Sequence, residues 1–360
     1  MPLQQENLSA KKPAYKGEPM KNIGIIGFGR IGKVHAKSIQ KFVKGAVVKS
    51  ICDPLLDEEK IMFANELGIM NCYKDYHDIL LDNEIDAVLI CSSTNTHALI
   101  SIEAAQAKKH IFCEKPIDTE IAKIQAVMQA VEENDVKFQV GFNRRFDHNF
   151  KALRNAVIDK KIGTPHFISI VSRDPDAPSV EYVKVSGGMF LDMTIHDFDM
   201  ARFLSDSEVT EVYAVGDALV NPEIKAAGDI DSAQITLRFA NGAIGSINNS
   251  RKATYGYDQR AEVFGSKGSI HSQNDTLNTS VFSDENGITH QKPLYFFLER
   301  YMQSFTDEMN EFIIAVENNS PTPVSVYDGL VPVIIAKAAL LSLKENRPVK
   351  ISEISDLVKI

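Results

Sequence analysis

Residues 21–32, KNIGIIGFGRIG, constrain the fold more than any other stretch of this chain. A short apolar run ends at Gly27. Gly29 and Gly32 then complete a Gly-x-Gly-x-x-Gly spacing, and a helical pattern runs from Ile31 to Lys41. In a dinucleotide-binding turn the three glycines serve a tight reversal, close approach of backbone to a pyrophosphate, and packing of helix on strand. The helix N-terminus offers unpaired amides and the positive end of its dipole to phosphate. Alone, the spacing also fits an ordinary glycine-rich turn, and its context decides. Asp53 closes the next apolar run, AVVKSIC (46–52), about 20 residues after the last glycine. A carboxylate there accepts from ribose hydroxyls and repels a 2′-phosphate, so NAD is expected in preference to NADP. Neighbouring Lys49 is the residue that could serve a phosphate instead.

Apolar runs and helical stretches go on alternating. Strands are expected at 21–26, 46–52, near Cys72, and at 86–93, 110–116 and 137–142, with helices at 31–41, 57–67, 76–81, 97–108 and 119–134. Buried strands separated by helices require crossover connections and a parallel sheet. Residues 21–143 therefore read as an α/β Rossmann domain. From residue 144 the rhythm changes to a helix (149–160), a long strand (166–174), a glycine-led helix (187–204), strands at 208–220, 232–239, 243–250 and 260–266, and two amphipathic helices (298–318 and 328–344). Asn241-Gly242 between two alternating runs predicts a tight hairpin with both central residues at positive φ. Residues 144–360 read as an α+β domain with an open, mostly antiparallel sheet. Its helices would cover one face and a subunit partner the other, and the last helix could pack back on the first domain. Residues 1–20 read as a flexible leader without the apolar core of a secretory signal, Met20 being an alternative start.

Composition excludes several functions. The net charge of −9, the absence of tryptophan and the lack of a long basic run argue against nucleic acid or an anionic membrane as partner. No apolar run approaches the roughly 18 residues of a membrane span. Cys52, Cys72, Cys91 and Cys113 include no close pair, so neither a zinc motif nor a disulfide framework is expected. Reduced thiols and a cytoplasmic location follow.

Ligands of an open parallel sheet bind beyond the carboxyl ends of its strands. Three peptides should reach that edge: 92–97 (SSTNTH), 114–116 (EKP) and 141–145 (GFNRR). The first suits a dinucleotide or a helix N-cap at Asn95 or Thr96. Lys115, held by Pro116, could stabilise an alkoxide as hydride leaves its carbon, or simply pair with Glu114 in solvent. In GGMFLDMTIHDFDMARFL (187–204), Asp192 and His196 stand four apart and would share one helix face. A carboxylate beside the imidazole would fix its tautomer and favour protonation, suiting general-base work on an alcohol. Asp192, His196 and Asp199 as a metal site lack a second histidine, and no metal is expected. The plain alternative is a helix-terminal aspartate and an ordinary histidine.

Together GFGRIG, EKP, GFNRRFD and GGMFLDMTIHDFDMARFL resemble the Gfo/Idh/MocA family of oxidoreductases, from about residue 21 to the C-terminal helices. The resemblance implies a Rossmann domain, an open-sheet α+β domain, homotetramers through that sheet, and NAD-dependent oxidation of a polyol or sugar hydroxyl. SRDPDAP (172–178), Asp192-x-x-x-His196 and YGYDQRAEVFGSKG (255–268) narrow the likeness to members acting on cyclitols. The expected reaction is myo-inositol to 2-keto-myo-inositol (scyllo-inosose). Scyllo-inositol, an aldose or a ketosugar are alternative substrates, and a non-catalytic NAD-binding sensor is the alternative of another class. The resemblance makes Lys115, Asp192 and His196 catalytic: His196 takes the hydroxyl proton, Asp192 orients it, Lys115 steadies the oxyanion, and activity rises with pH through the His196 titration. It places Arg144, Asp174, Tyr255 and Tyr257 with these three around the substrate. Gly27, Phe28, Gly29, Arg30, Ile31, Gly32, Asp53, Ser92, Thr94, Asn95, His97, Glu114 and Lys115 would hold the cofactor. Two departures stand out. Met193 occupies a position where relatives often carry threonine, which here comes one later as Thr194, and Asn143 stands where methionine is common.

Overall fold

Runs such as Ile23–Ile26 and Ala87–Ile90 have no polar face, so both sides must be covered. The computed structural model describes residues 20–355, and the leader expected at the N-terminus lies, Met20 apart, outside the described residues. The first half runs β1 (Lys21–Ile26), α1 (Arg30–Lys41), β2 (Ala46–Cys52), α2 (Glu58–Glu66), β3 (Asn71–Tyr73), α3 (His77–Leu80), β4 (Ala87–Ile90), α4 (Thr94–Gln106), β5 (His110–Glu114), α5 (Ile121–Asn134) and β6 (Phe138–Gly141). All pairings are parallel in the order β3-β2-β1-β4-β5-β6. Strand order reverses between β1 and β4, which opens a crevice beyond their carboxyl ends.

The second half runs α6 (His148–Ile158), β7 (Pro165–Arg173), α7 (Val180–Ser186), α8 (Met189–Asp192), α9 (Ile195–Ser205), β8 (Val209–Asp217), α10 (Pro222–Ala226), β9 (Ser232–Phe239), β10 (Ile244–Ser250), β11 (Asp258–Gly265) and β12 (Gly268–His271). The hairpin β13 (Val281–Asp284) and β14 (Gly287–His290) follows, then α11 (Phe297–Arg300), α12 (Met302–Glu317), α13 (Val326–Glu345), β15 (Val349–Lys350) and α14 (Ser352–Ser355). The sheet order is β12-β11-β7-β10-β9-β8-β15, with only β7 and β10 parallel. Ala233, Ile235, Leu237 and Phe239 alternate inward along β9, while Phe167, Val215, Ile244 and Phe264 stay exposed. Met309, Phe312 and Ile313 of α12 pack with Ile23, Ile25 and Leu89, so a helix from the second half completes the first domain's core.

Four expectations need correction. The helix over 187–204 breaks after Asp192: the Met189 carbonyl accepts from both Met193 and Thr194, ending α8, and the buried Thr194 hydroxyl is drawn to Asn249 of β10 at 2.7 Å. At the β9–β10 connection only Gly242 has positive φ (+87°). Its amide donates to Phe239, and Asn241 Oδ1 accepts from Ala243, so a longer loop ending in one left-handed glycine replaces the two-residue turn. The helix over 298–318 is interrupted at Tyr301, whose side chain is buried. Finally, α13 is not amphipathic. It is 20 residues long, and its most apolar window has mean hydropathy 1.7, enough by length and composition to cross a bilayer, with 67% of that window buried inside the fold. It is apolar on most sides because most of it is packed inside the fold, with Tyr327 and Leu340 left exposed.

Candidate active site

A cavity of about 630 Å³ lies where the carboxyl ends of β4, β5 and β6 face the inner side of the second sheet. Arg30 and Ile31, which follow Gly29 in the glycine turn, line one part of it. Gly27 has φ +94°, and a Cβ there would strike Ser92 N at 2.4 Å; a Cβ on Gly32 would lie 2.1 Å from the Gly27 carbonyl oxygen. Around Gly29 there is nothing within 4 Å. Two glycines thus close protein on protein, and the third leaves room beside the N-terminus of α1, which fits a pyrophosphate. Gly32→Ala should therefore lower the unfolding temperature by several degrees. Gly29→Ala, at an ordinary negative φ, should leave that temperature unchanged and weaken NAD binding by about tenfold or more, roughly 1.4 kcal/mol. Thermal unfolding and NAD titration of both variants separate the two roles.

Asp53 is nearly buried. It accepts from the amides of Phe28 (2.9 Å) and Leu55 (2.8 Å) and pairs with Lys60 at 2.9 Å. Burial opposes its charge, but Lys60 and the two amides outweigh it and hold the carboxyl below its usual range. Lys49, considered for a 2′-phosphate, is instead engaged by Asp82 (2.7 Å) and Glu84 (2.5 Å). Three expected cofactor residues behave differently from the sequence reading. Phe28 is a core side chain whose amide is committed to Asp53. Asn95 is exposed and does not line the cavity, whereas Ser92 and Thr94 do. His97 borders the cavity, but its ring nitrogens meet the carbonyls of Ser92 (3.0 Å) and Pro116 (2.8 Å), tying two loops together. Arg30, Ile31 and Glu114 line the cavity.

Lys115, Asp192 and His196 share this cavity. The ending of α8 at Asp192 matters here, because helix ends leave carbonyls without intrahelical partners. Lys115 Nζ donates to the Asp192 main-chain oxygen at 2.8 Å and lies 3.8 Å from its carboxylate. That carboxylate accepts from Tyr182 Oη (2.8 Å) and Arg251 (2.8 Å). Burial opposes the Asp192 charge, but Lys115 and Arg251 overcome it and keep the carboxyl below its usual range. The expected pairing of Asp192 with His196 is absent. His196 is half-buried on the cavity wall, its Nδ1 has no hydrogen-bond partner among the described residues, and Phe142 lies edge-on at 5.9 Å. Burial, followed by Lys115 and Arg144, holds its imidazole well below its usual pKa, so the ring is a neutral base rather than a carboxylate-stabilised cation. Asp174 also faces the cavity, and burial pushes its carboxyl up to about 6 against the pull of Arg251 and Arg144. Asp199 is bound by Arg145 at 2.6 Å, so the rival metal set of Asp192, His196 and Asp199 does not form.

Residues 21–142 match an oxidoreductase family with an NAD-binding Rossmann fold, and residues 150–271 match the Gfo/Idh/MocA C-terminal domain. Over 332 residues the chain is 49% identical to the myo-inositol 2-dehydrogenase of Thermotoga maritima, covering 92% of this chain and 99% of that one. The chain belongs to the Gfo/Idh/MocA family of oxidoreductases. The solved structure of a probable dehydrogenase from Thermotoga maritima is similar at TM-score 0.90 and 48% identity, over 92% of this chain and 99% of that one. The scyllo-inositol dehydrogenase of Lactobacillus casei, solved with NAD(H) and scyllo-inositol, is similar at TM-score 0.86 and 30% identity, over 92% and 99%.

Within this Gfo/Idh/MocA site, Tyr255 and Tyr257 part company. Gly256 at φ +125° turns the chain between them. Tyr257 is buried against the cavity, with Arg144 at 3.5 Å from its hydroxyl. Tyr255 is exposed and donates to Asp258 (2.6 Å) outside the cavity, so it is not a candidate substrate ligand. Arg144 lines the cavity but is pinned to Asp197 at 2.7 Å. Met193 and Asn143, the two departures from the family pattern, both line the cavity, while Thr194 turns away to Asn249. Sequence reasoning missed Tyr182 and Arg251. Arg251 had a signal: Ile247 and Asn249 set the inward parity of β10, and Arg251 continues it. Tyr182, on a short helix with no motif, had none.

Proposed function

We propose that the chain oxidises a cyclitol ring hydroxyl with NAD, taking myo-inositol to 2-keto-myo-inositol (scyllo-inosose). What carries this reading is the convergence of an ammonium, carboxylates and a neutral imidazole in one cavity beside the glycine turn. The resemblance to proteins named myo-inositol 2-dehydrogenase supports the substrate class. NAD, when bound, supplies the hydride acceptor. The neutral His196 takes the hydroxyl proton, and Lys115, anchored on the Asp192 carbonyl, offers positive charge to the oxygen that loses it. Asp192 and Asp174, aimed by Arg251 at 2.8 and 3.5 Å, accept from neighbouring ring hydroxyls.

An assay of myo-inositol, scyllo-inositol, aldoses and ketosugars with NAD and NADP, followed at 340 nm, tests the assignment. Turnover on myo-inositol with NAD is expected. Tight NAD binding with no turnover on any polyol would establish the sensor reading instead. The pH profile carries its own expectation. His196 stays uncharged through neutrality, so the rise in activity belongs to ionisation of Asp174, centred at about pH 6. His196→Asn should lower kcat by about 10²–10⁴-fold, the range of a general base, at every pH from 6 to 9.

The reading extends to assembly and location. The exposed apolar positions Phe167, Val215, Ile244 and Phe264 on the outer face of the second sheet favour a homotetramer formed through that face. Light scattering should return four times the chain mass. The four free thiols favour the cytoplasm.

A further inference from the structure

Three side chains from separate elements converge where α1, β5 and α12 meet. They are His35, Glu114 and Glu308, and their potential ligand atoms lie within 4.8 Å of one another. His35 and Glu308 are fully buried, while Glu114 also reaches the NAD-side cavity. His35 Nε2 meets Glu114 Oε1 at 2.8 Å, which leaves His35 Nδ1 and both Glu308 oxygens without a hydrogen-bond partner. The surroundings are apolar, with Phe112 and Phe305 edge-on to the imidazole at 5.2 and 5.6 Å. Among the described residues no lysine or arginine pairs with either carboxylate, and the only ion-pair partner of Glu114 is His35.

Two neighbouring carboxylates in such a box need compensation. Burial and then Glu114 hold the Glu308 carboxyl well above its usual range. A proton there removes one charge but still leaves the imidazole nitrogen and an acceptor oxygen unpaired. A divalent ion cancels both charges and employs lone pairs from all three groups. One imidazole with two carboxylates suits zinc or manganese, whereas magnesium and calcium prefer oxygen alone. Ligand bonds of about 2.0–2.2 Å require the side chains to draw in by roughly an ångström.

We propose that His35, Glu114 and Glu308 form a binding site for a divalent transition-metal ion, Zn²⁺ or Mn²⁺, that ties α1 to α12 beside the NAD cavity. Nothing in this depends on the identity of the substrate. The full chain, stripped with EDTA, is loaded with Zn²⁺ or with Mn²⁺ and gel-filtered. Bound metal per chain is then measured by plasma mass spectrometry, alongside the unfolding temperature. One ion per chain and a raised unfolding temperature are expected. Glu308→Gln and His35→Gln, each confirmed as folded by circular dichroism, should bind at least tenfold more weakly and lose that rise. Wild-type protein that retains no stoichiometric metal overturns the proposal, and so does a Glu308→Gln variant that binds as well as wild type. A cluster holding only a proton would show itself by the first of these results.

Discussion

Replacing Lys115 with methionine should cut kcat by about 10²–10³-fold, the usual cost of removing one preorganised group that stabilises developing oxyanion charge. Methionine keeps the length and apolar stem but loses the cation that the Asp192 carbonyl anchors at 2.8 Å. The unfolding temperature should hardly move, because the lost bond faces an open cavity rather than packed interior. A second signature separates this from a packing defect. Lys115 is, after burial, the leading cause of the depressed His196 pKa. Removing a positive neighbour must raise that pKa, while burial remains and the acid limb of activity stays with Asp174, so the shift is read on the imidazole itself. Steady-state kcat, with NADH followed at 340 nm, and an NMR titration of the His196 ring supply the two readings. A methionine variant that keeps most of its turnover, or whose His196 titration does not move up, removes Lys115 from the chemistry.

The first domain was legible because its strands are covered on both faces. Ile23–Ile26, Ala87–Ile90 and Ile111–Cys113 carry no polar side that would permit another arrangement, and the glycine turn with Asp53 then fixed the end at which a ligand binds. What the sequence left hidden depends on partners far along the chain. The Asp192–His196 spacing suggests one helix face, yet Asn249, 55 residues on, claims Thr194 and the helix breaks between the two. That break removes their pairing and creates the carbonyl that holds Lys115. Asp192 lines the cavity, but its carboxylate meets Arg251, 59 residues away, rather than the histidine four positions on. Tyr255 and Tyr257 have equal local claims, and only the positive φ of Gly256 sends them to different places. Periodicity sees which face of an element is buried. It does not see which polar groups meet across the interior.

Arg251 offers the sharpest test of that interior pairing. Its side chain is buried and reaches Asp192 at 2.8 Å and Asp174 at 3.5 Å, two carboxylates on the same cavity. For Asp174, burial raises the carboxyl pKa and Arg251 is the first influence opposing it, with a net position at about 6. The carboxylate is therefore mostly ionised at pH 7, able to accept from a substrate hydroxyl. Without Arg251 burial meets less opposition, the pKa climbs, and the protonated acid persists into the neutral range. Arg251→Met should thus lower kcat/KM at pH 7 by about 10–10²-fold, in keeping with a loss of roughly 1.4–2.7 kcal/mol, and recover part of it as the pH rises towards 9. Arg251→Lys should restore the charge without both contacts, because an ammonium lacks the planar fork of a guanidinium, and should fall between the two. The lysine variant also guards against a folding defect, since breaking a buried ion pair is itself destabilising. If kcat/KM falls equally at pH 7 and pH 9 in both variants, the arginine shapes the cavity without controlling the ionisation of Asp174. If instead the acid limb moves up in the methionine enzyme and less in the lysine enzyme, then Arg251 keeps a half-buried carboxylate charged on the cavity wall.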